Sequence, residues 1–90
     1  MIKLILHGCN GKMGQVVATA AAMDNEIEIV AGVDRFPNAP SNGFPVYEEL
    51  AQVKEKADVV LDFSVPGALP HLLKFADHTS IPLVIATTGI

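Results

Sequence analysis

The sequence has a single cysteine, no cluster of basic residues and no long apolar stretch, and each absence removes a class of protein. One thiol, Cys9, forms no internal disulfide. The amino-terminal Met1-Ile2-Lys3-Leu4-Ile5-Leu6 passes straight into a glycine turn, without the apolar stretch and small-residue cleavage site of an export signal. A cytoplasmic protein is expected on both grounds. The apolar runs are too short and too interrupted to span a bilayer. A formal net charge of −4 without clustered Lys or Arg argues against nucleic acid or an anionic membrane as the main partner, because both need a basic surface. A small anion stays possible, since backbone N–H groups hold phosphate without net positive charge. No His-Lys pair, Ser-His-Asp grouping or carboxylate pair stands in a credible setting, and His7, His71 and His78 lack metal-ligand spacing. No catalytic residue and no metal ligand is therefore expected in this chain.

Apolar residues make up 50% of the sequence and charged residues 18%, a balance that excludes disorder. At 90 residues the chain suffices for one domain with a thin core, burying roughly 60% of its unfolded surface. Ile2 to His7 is an apolar run ending in glycine, which predicts a buried strand. Lys12 to Met23 changes period: Met13, Val16, Val17 and Ala20 fall at i, i+3, i+4 and i+7 and predict one apolar helix stripe. Ile27 to Val33 predicts a second strand, and residues 36 to 45, rich in Pro, Asn and Gly, a surface loop. Val46-Tyr47 predicts a short edge strand, Glu48 to Lys56 a helix, and Asp58 to Phe63 a strand. A turn at Ser64 then leads into a helix with Leu69, Leu72, Leu73 and Ala76 on one face, where Pro70 fits only the first turn. Leu83 to Ala86 is the last predicted strand. Strands alternating with helices imply an α/β fold, a Rossmann-like doubly wound parallel sheet of four to five strands. A last strand left as an edge is open to aggregation, so the chain is expected to be the amino-terminal part of a larger two-domain protein.

The strongest motif is Gly8-Cys9-Asn10-Gly11-Lys12-Met13-Gly14, set between a predicted strand and a predicted helix. Gly11 lets backbone approach a pyrophosphate, and Gly14 lets helix pack closely on strand. The phosphates would sit at the helix N-terminus, where unbonded N–H groups and the macrodipole favour negative charge. A tight strand-to-helix turn without a ligand is the plainer alternative. Asp34, at the end of the second strand, is placed to accept hydrogen bonds from the adenosine ribose, while Arg35 beside it could grip a 2′-phosphate. The pair predicts that NADH and NADPH are both accepted; alternatively Asp34 only caps a turn. Cys9 could be reactive beside a helix N-terminus, but without an obvious partner it reads as a small turn residue. Ser64 fits a turn or cap residue as well as a ligand contact. Asp62 and Phe63 end a strand on the same side of the sheet as Gly8, where ligands of such folds bind.

Taken together these residues resemble the amino-terminal part of the dihydrodipicolinate reductase (4-hydroxy-tetrahydrodipicolinate reductase) family of lysine biosynthesis. Three pieces carry the resemblance: Gly8 to Gly14 in its Gly-x-x-Gly-x-Met-Gly form, Asp62-Phe63-Ser64 followed by Pro66, and Ala86-Thr87-Thr88-Gly89. The resemblance implies that Gly8, Cys9, Asn10, Gly11, Lys12 and Met13 hold the cofactor, that Asp34-Arg35 meets its ribose and 2′-phosphate, and that Ala86, Thr87 and Thr88 meet its nicotinamide end. Ala86 stands where the family more often has Gly, and Cys9 and Asn10 replace a frequent Ala and Gly. The family's His-His-x-x-Lys segment, which supplies acid catalysis and grips the dicarboxylate substrate, lies downstream of these residues, as does the domain that forms its homotetramer. The alternatives on the residues alone are the amino-terminal half of another NAD(P)-dependent dehydrogenase and a standalone nucleotide-sensing module.

Overall fold

The computed structural model describes residues 1–35, 43–63 and 69–86. Within them the chain forms β1 (Ile2–His7), α1 (Lys12–Ala22), β2 (Ile27–Val33), β3 (Val46–Tyr47), a 3₁₀ turn (Leu50–Gln52), β4 (Val59–Asp62), α2 (Leu69–Thr79) and β5 (Leu83–Ile85). The strands pair in parallel in the order β3-β2-β1-β4-β5. This is the expected doubly wound Rossmann-like sheet, with the chain leaving β1 in opposite directions on its two sides. Right-handed crossovers then place helices on opposite faces: α1 packs on β1 and β2, and α2 packs with the 3₁₀ turn. Among the described residues no helix is long and apolar enough to cross a membrane.

The core lies on the α2 face. Ala31, Ile5, Val60 and Leu83 are register partners across four adjacent strands, so their side chains form one row over which Leu50 and Leu72 close. A register shift between Leu4 and Ile5 skips Val30 in β2 and turns Ala31 and Val33 toward this row. The next row on the same face is Tyr47, Val33, His7, Asp62 and Ile85, at the carboxyl ends of the strands. The sheet thus carries its apolar core and its polar site on one face, two residues apart.

Three expectations are corrected. The helix expected over Glu48 to Lys56 is only the 3₁₀ turn, after which Val53 is extended. The physical reason is reach. This link steps from β3 past β2 and β1 to β4, roughly 14 Å sideways at ~4.8 Å per strand. It must also return to the amino ends of the strands. Extended backbone covers about 3.3 Å per residue and a helix only about 1.5 Å. A hydrogen bond from Tyr47 Oη to Glu55 Oε1 at 2.9 Å ties the crossing to the edge strand.

The other two corrections concern the helices. On α1, Met13 and Val16 are 55% and 57% exposed and Ala20 is exposed, while Gly14 and Ala21 are buried and Val17 and Ala18 half-buried. The helix is seated by its small residues because they allow the shortest distance to the sheet, so the packed stripe is turned by one position. On α2, likewise, Leu72 is buried and Phe75 and Ala76 are half-buried, whereas Leu73 is 55% exposed. Pro70 does lie in the first turn of α2. The side chain of Leu69, most of the expected 36–45 loop, and Ser64, Pro66, Thr87, Thr88 and Gly89 lie outside the described residues.

Candidate functional site

The site is built on the carboxyl end of β1. Gly8 has φ +83°, a conformation that side-chain-bearing residues rarely adopt, and this reverses the chain as it leaves the strand. The reversal is fastened from three sides. Gly8 N–H donates to Val33 O at 2.7 Å, Asn10 N–H donates to Asp34 Oδ2 at 3.0 Å, and Gln15 Nε2 donates to Cys9 O at 2.8 Å. Gly11 is the N-cap of α1, with no side-chain cap bond and no acidic residue in the first turn. The N–H groups of Lys12, Met13 and Gly14 consequently have no acceptor among the described residues. An anion is the group that three converging N–H donors and a helix dipole accommodate.

Gly14 decides how close the helix sits. A Cβ there would strike Gly8 O and lie 2.7 Å from Cys9 O, so only glycine fits under the turn. Gly32 plays the matching part in β2, where a Cβ would come within 2.6 Å of Cys9 Sγ and 2.7 Å of Phe44. Cys9 is therefore a packing residue. Its thiol is fully buried, and burial together with the Asp34 charge pushes its pKa up to about 11. Thiol reagents at about pH 8 should accordingly leave native Cys9 unmodified and label it on unfolding, since the thiolate is the reactive form. Rapid labelling of the folded chain would contradict this.

Among the described residues, those expected to hold the cofactor gather at one edge. Gly8, Gly11, Asp34 and Arg35 line a cleft of about 1100 Å³ that extends between the 3₁₀ turn and α2 to His71 and Phe75. Lys12 and Met13 are exposed at the start of α1. Asp34 is half-buried and Arg35 exposed, so the acid is tied to the turn while the base is at the surface. Ala86 reaches the same edge, its N–H donating to Asp62 O at 2.9 Å. Among the described residues no group of three His, Cys, Asp or Glu could hold a metal ion.

One pair was not anticipated from the sequence. His7 Nδ1 lies 3.0 Å from Oδ1 of Asp62, which is only 1% exposed. The two residues are 55 positions apart, yet they are register partners on adjacent strands. The signal available was positional: each is the last residue of its strand, and the doubly wound order makes those strands neighbours. Burial holds the His7 imidazole below its usual pKa of 6.5, against the opposing pull of Asp62 and Asp34. The unfolded chain therefore binds more protons than the native one just below that value. Stability from this source is complete above about pH 6.5 and declines as the pH falls beneath it. Melting temperatures measured across this range should fall with acidification, and His7→Asn should flatten that dependence; an unchanged slope would remove His7 as the cause.

The same combination of turn, sheet order and cleft has relatives among known proteins. A family model described as "Dihydrodipicolinate reductase, N-terminus" matches residues 2–90. The chain belongs to this family. It is 58% identical over its whole length to a 4-hydroxy-tetrahydrodipicolinate reductase of Caldanaerobacter subterraneus subsp. tengcongensis, of which it covers 35%. It is 46% identical to that of Clostridium botulinum, with 99% of this chain and 34% of the relative covered. A solved dihydrodipicolinate reductase from Paenisporosarcina sp. TG-14, described as dipicolinate-bound, superposes with TM-score 0.83 at 30% identity. That superposition covers 100% of this chain and 38% of the solved one. The chain thus spans about a third of the length of these dihydrodipicolinate reductases. The resemblance drawn from the glycine turn and the Asp-Phe-Ser and Thr-Thr-Gly pieces is borne out at the level of family and fold.

Proposed function

We propose that residues 1–90 form the dinucleotide-binding domain of a reductase of lysine and diaminopimelate biosynthesis, holding NADH or NADPH. The observation that carries this reading is the row of N–H groups at Lys12, Met13 and Gly14, open above a turn whose neighbouring acid, Asp34, already grips it at Asn10. A pyrophosphate fits that row because the turn presents donors and no Cβ at Gly11. Asp34 directs its carboxylate to the adenosine ribose, and Arg35 offers a guanidinium to a 2′-phosphate, so both cofactors are accommodated. Gly8, Cys9 and Asn10 shape the turn beneath the phosphates. Ala86, with Thr87 and Thr88 after it, approaches the nicotinamide end. When bound, the dinucleotide supplies the hydride.

In the whole enzyme the hydride acceptor would be 4-hydroxy-tetrahydrodipicolinate, a small dicarboxylate. Catalytic residues outside these 90 would grip and protonate it, in a cytoplasmic homotetramer. The dipicolinate bound to the Paenisporosarcina reductase is a dicarboxylate of the same kind and supports that substrate class. Calorimetric titration of the 90-residue chain tests the cofactor reading. Each of NADH and NADPH should bind one to one, without turnover; binding of neither would overturn it.

A further inference from the structure

The His7–Asp62 pair has no part in the nucleotide contacts proposed above, and its placement gives it a task. His7 is the last residue before the glycine turn and lines the same cleft as Gly8, Gly11 and Asp34. Asp62 engages Nδ1 at 3.0 Å; a carboxylate accepts, so the neutral ring carries its proton there and turns a bare Nε2 outward. Nε2 has no partner among the described residues, and no unpartnered polar side-chain atom there is sealed from solvent, so it is reachable from the cleft.

The groups facing the imidazole are Asp62 from β4, Asp34 beyond β2 and His71 from α2. Arg35, Glu48, Glu49, Lys74 and His78 lie further along the cleft walls, and Lys12 stands at the exposed start of α1. The ring therefore sits among two carboxylates and one other imidazole, next to a turn shaped for an anion.

We propose that His7 takes up a proton when a pyrophosphate settles on the glycine turn, becoming the cation that balances it. This rests on the nucleotide reading above. A dianion brought beside Asp34 and Asp62 raises the local negative potential, and such a potential favours the protonated imidazole. Nδ1–H stays on Asp62, and the added proton goes to Nε2, where the cleft admits it from water. In the absence of nucleotide, burial outweighs the two carboxylates and disfavours the protonated ring. Asp62 is a positioning residue in this arrangement, and His7 the residue that responds to charge.

Linkage makes this measurable, since a ligand whose binding takes up a proton binds more tightly as the pH falls. NADH is the suitable probe, because its pyrophosphate diester keeps its charge between about pH 8 and pH 6, whereas NADPH carries a phosphate that titrates there. NADH affinity should rise as the pH is lowered across this range, approaching but not exceeding about tenfold per pH unit. Titrations in buffers of different ionisation enthalpy should show uptake of a fraction of a proton near neutral pH. His7→Asn should abolish both effects, and His71→Asn and His78→Asn should each retain them. Asp62→Asn, which keeps the imidazole but removes its carboxylate, should move the rise to lower pH.

Circular dichroism of each variant establishes that it is folded before its slope is read. A pH-dependent affinity that survives in folded His7→Asn overturns the proposal, as does NADH binding by the native chain that is independent of pH. Absence of NADH binding at every pH instead overturns the nucleotide reading, and the proposal with it.

Discussion

Gly14→Ala should destabilise the chain by about 2 kcal/mol and lower NADH affinity at least tenfold. Two effects oppose each other. Alanine is the better helix former by about 1 kcal/mol at an interior position, and on propensity alone the change would stabilise α1. Against this, the new Cβ would lie 2.7 Å from Cys9 O and 2.8 Å from Cys9 C, and closer still to Gly8 O. All three are backbone atoms, which have no rotamer to escape into. Overpacking of a rigid neighbour costs roughly 1–3 kcal/mol and more when main chain must move. The overlap therefore wins. Either α1 lifts from the sheet or the turn shifts, and each, on the proposed function, displaces the N–H row of Lys12 and Met13 from the pyrophosphate. Urea denaturation with NADH titration checks both parts; a gain in stability would show that the turn yields easily.

The second large effect is expected at Asp34. Asp34→Ala removes the acceptor of the Asn10 N–H bond at 3.0 Å and, on the proposed function, the ribose contact as well. Hydrogen bonds to a charged acceptor contribute roughly 1.5–3 kcal/mol, so NADH affinity should fall about ten- to a hundredfold. NADPH should lose less, because its 2′-phosphate is released from repulsion by the carboxylate while Arg35 remains. The preference between the two cofactors should move toward NADPH by about tenfold. Parallel titrations of the variant decide this; equal losses for both would mean that Asp34 acts only through the turn.

The parts legible in the sequence were those governed by local chemistry. Gly8 to Gly14 announces a strand-to-helix turn because each glycine answers a backbone requirement, and the strands show as apolar runs bounded by turn residues. The hidden parts depended on distance and depth. Nothing near Val53 says that the chain there must cross three strand spacings, so the local pattern reads as helical where the fold needs extended backbone. On α1, Met13 and Val16 outweigh alanines on any scale of apolarity, yet closeness to the sheet is set by Gly14, Ala18 and Ala21. The His7–Asp62 pair follows from strand order and register together, and neither is local.

Gly32 has a consequence for how this sequence can vary. The space its missing Cβ leaves is occupied by Cys9 Sγ and the edge of Phe44, so positions 9 and 32 share one fixed volume. With alanine at position 9, where the family resemblance often places it, Sγ disappears and its contact with it. The remaining Cβ at position 9, 3.1 Å from a Cβ at position 32, then needs to move by only a few tenths of an ångström, but the Phe44 ring at 2.7 Å must turn aside as well. Relatives should therefore trade size among positions 9, 32 and 44, a larger residue at 32 accompanying smaller ones at the other two. Such a compensating set would link the floor of the glycine turn to the middle of β2 across generations of sequence drift.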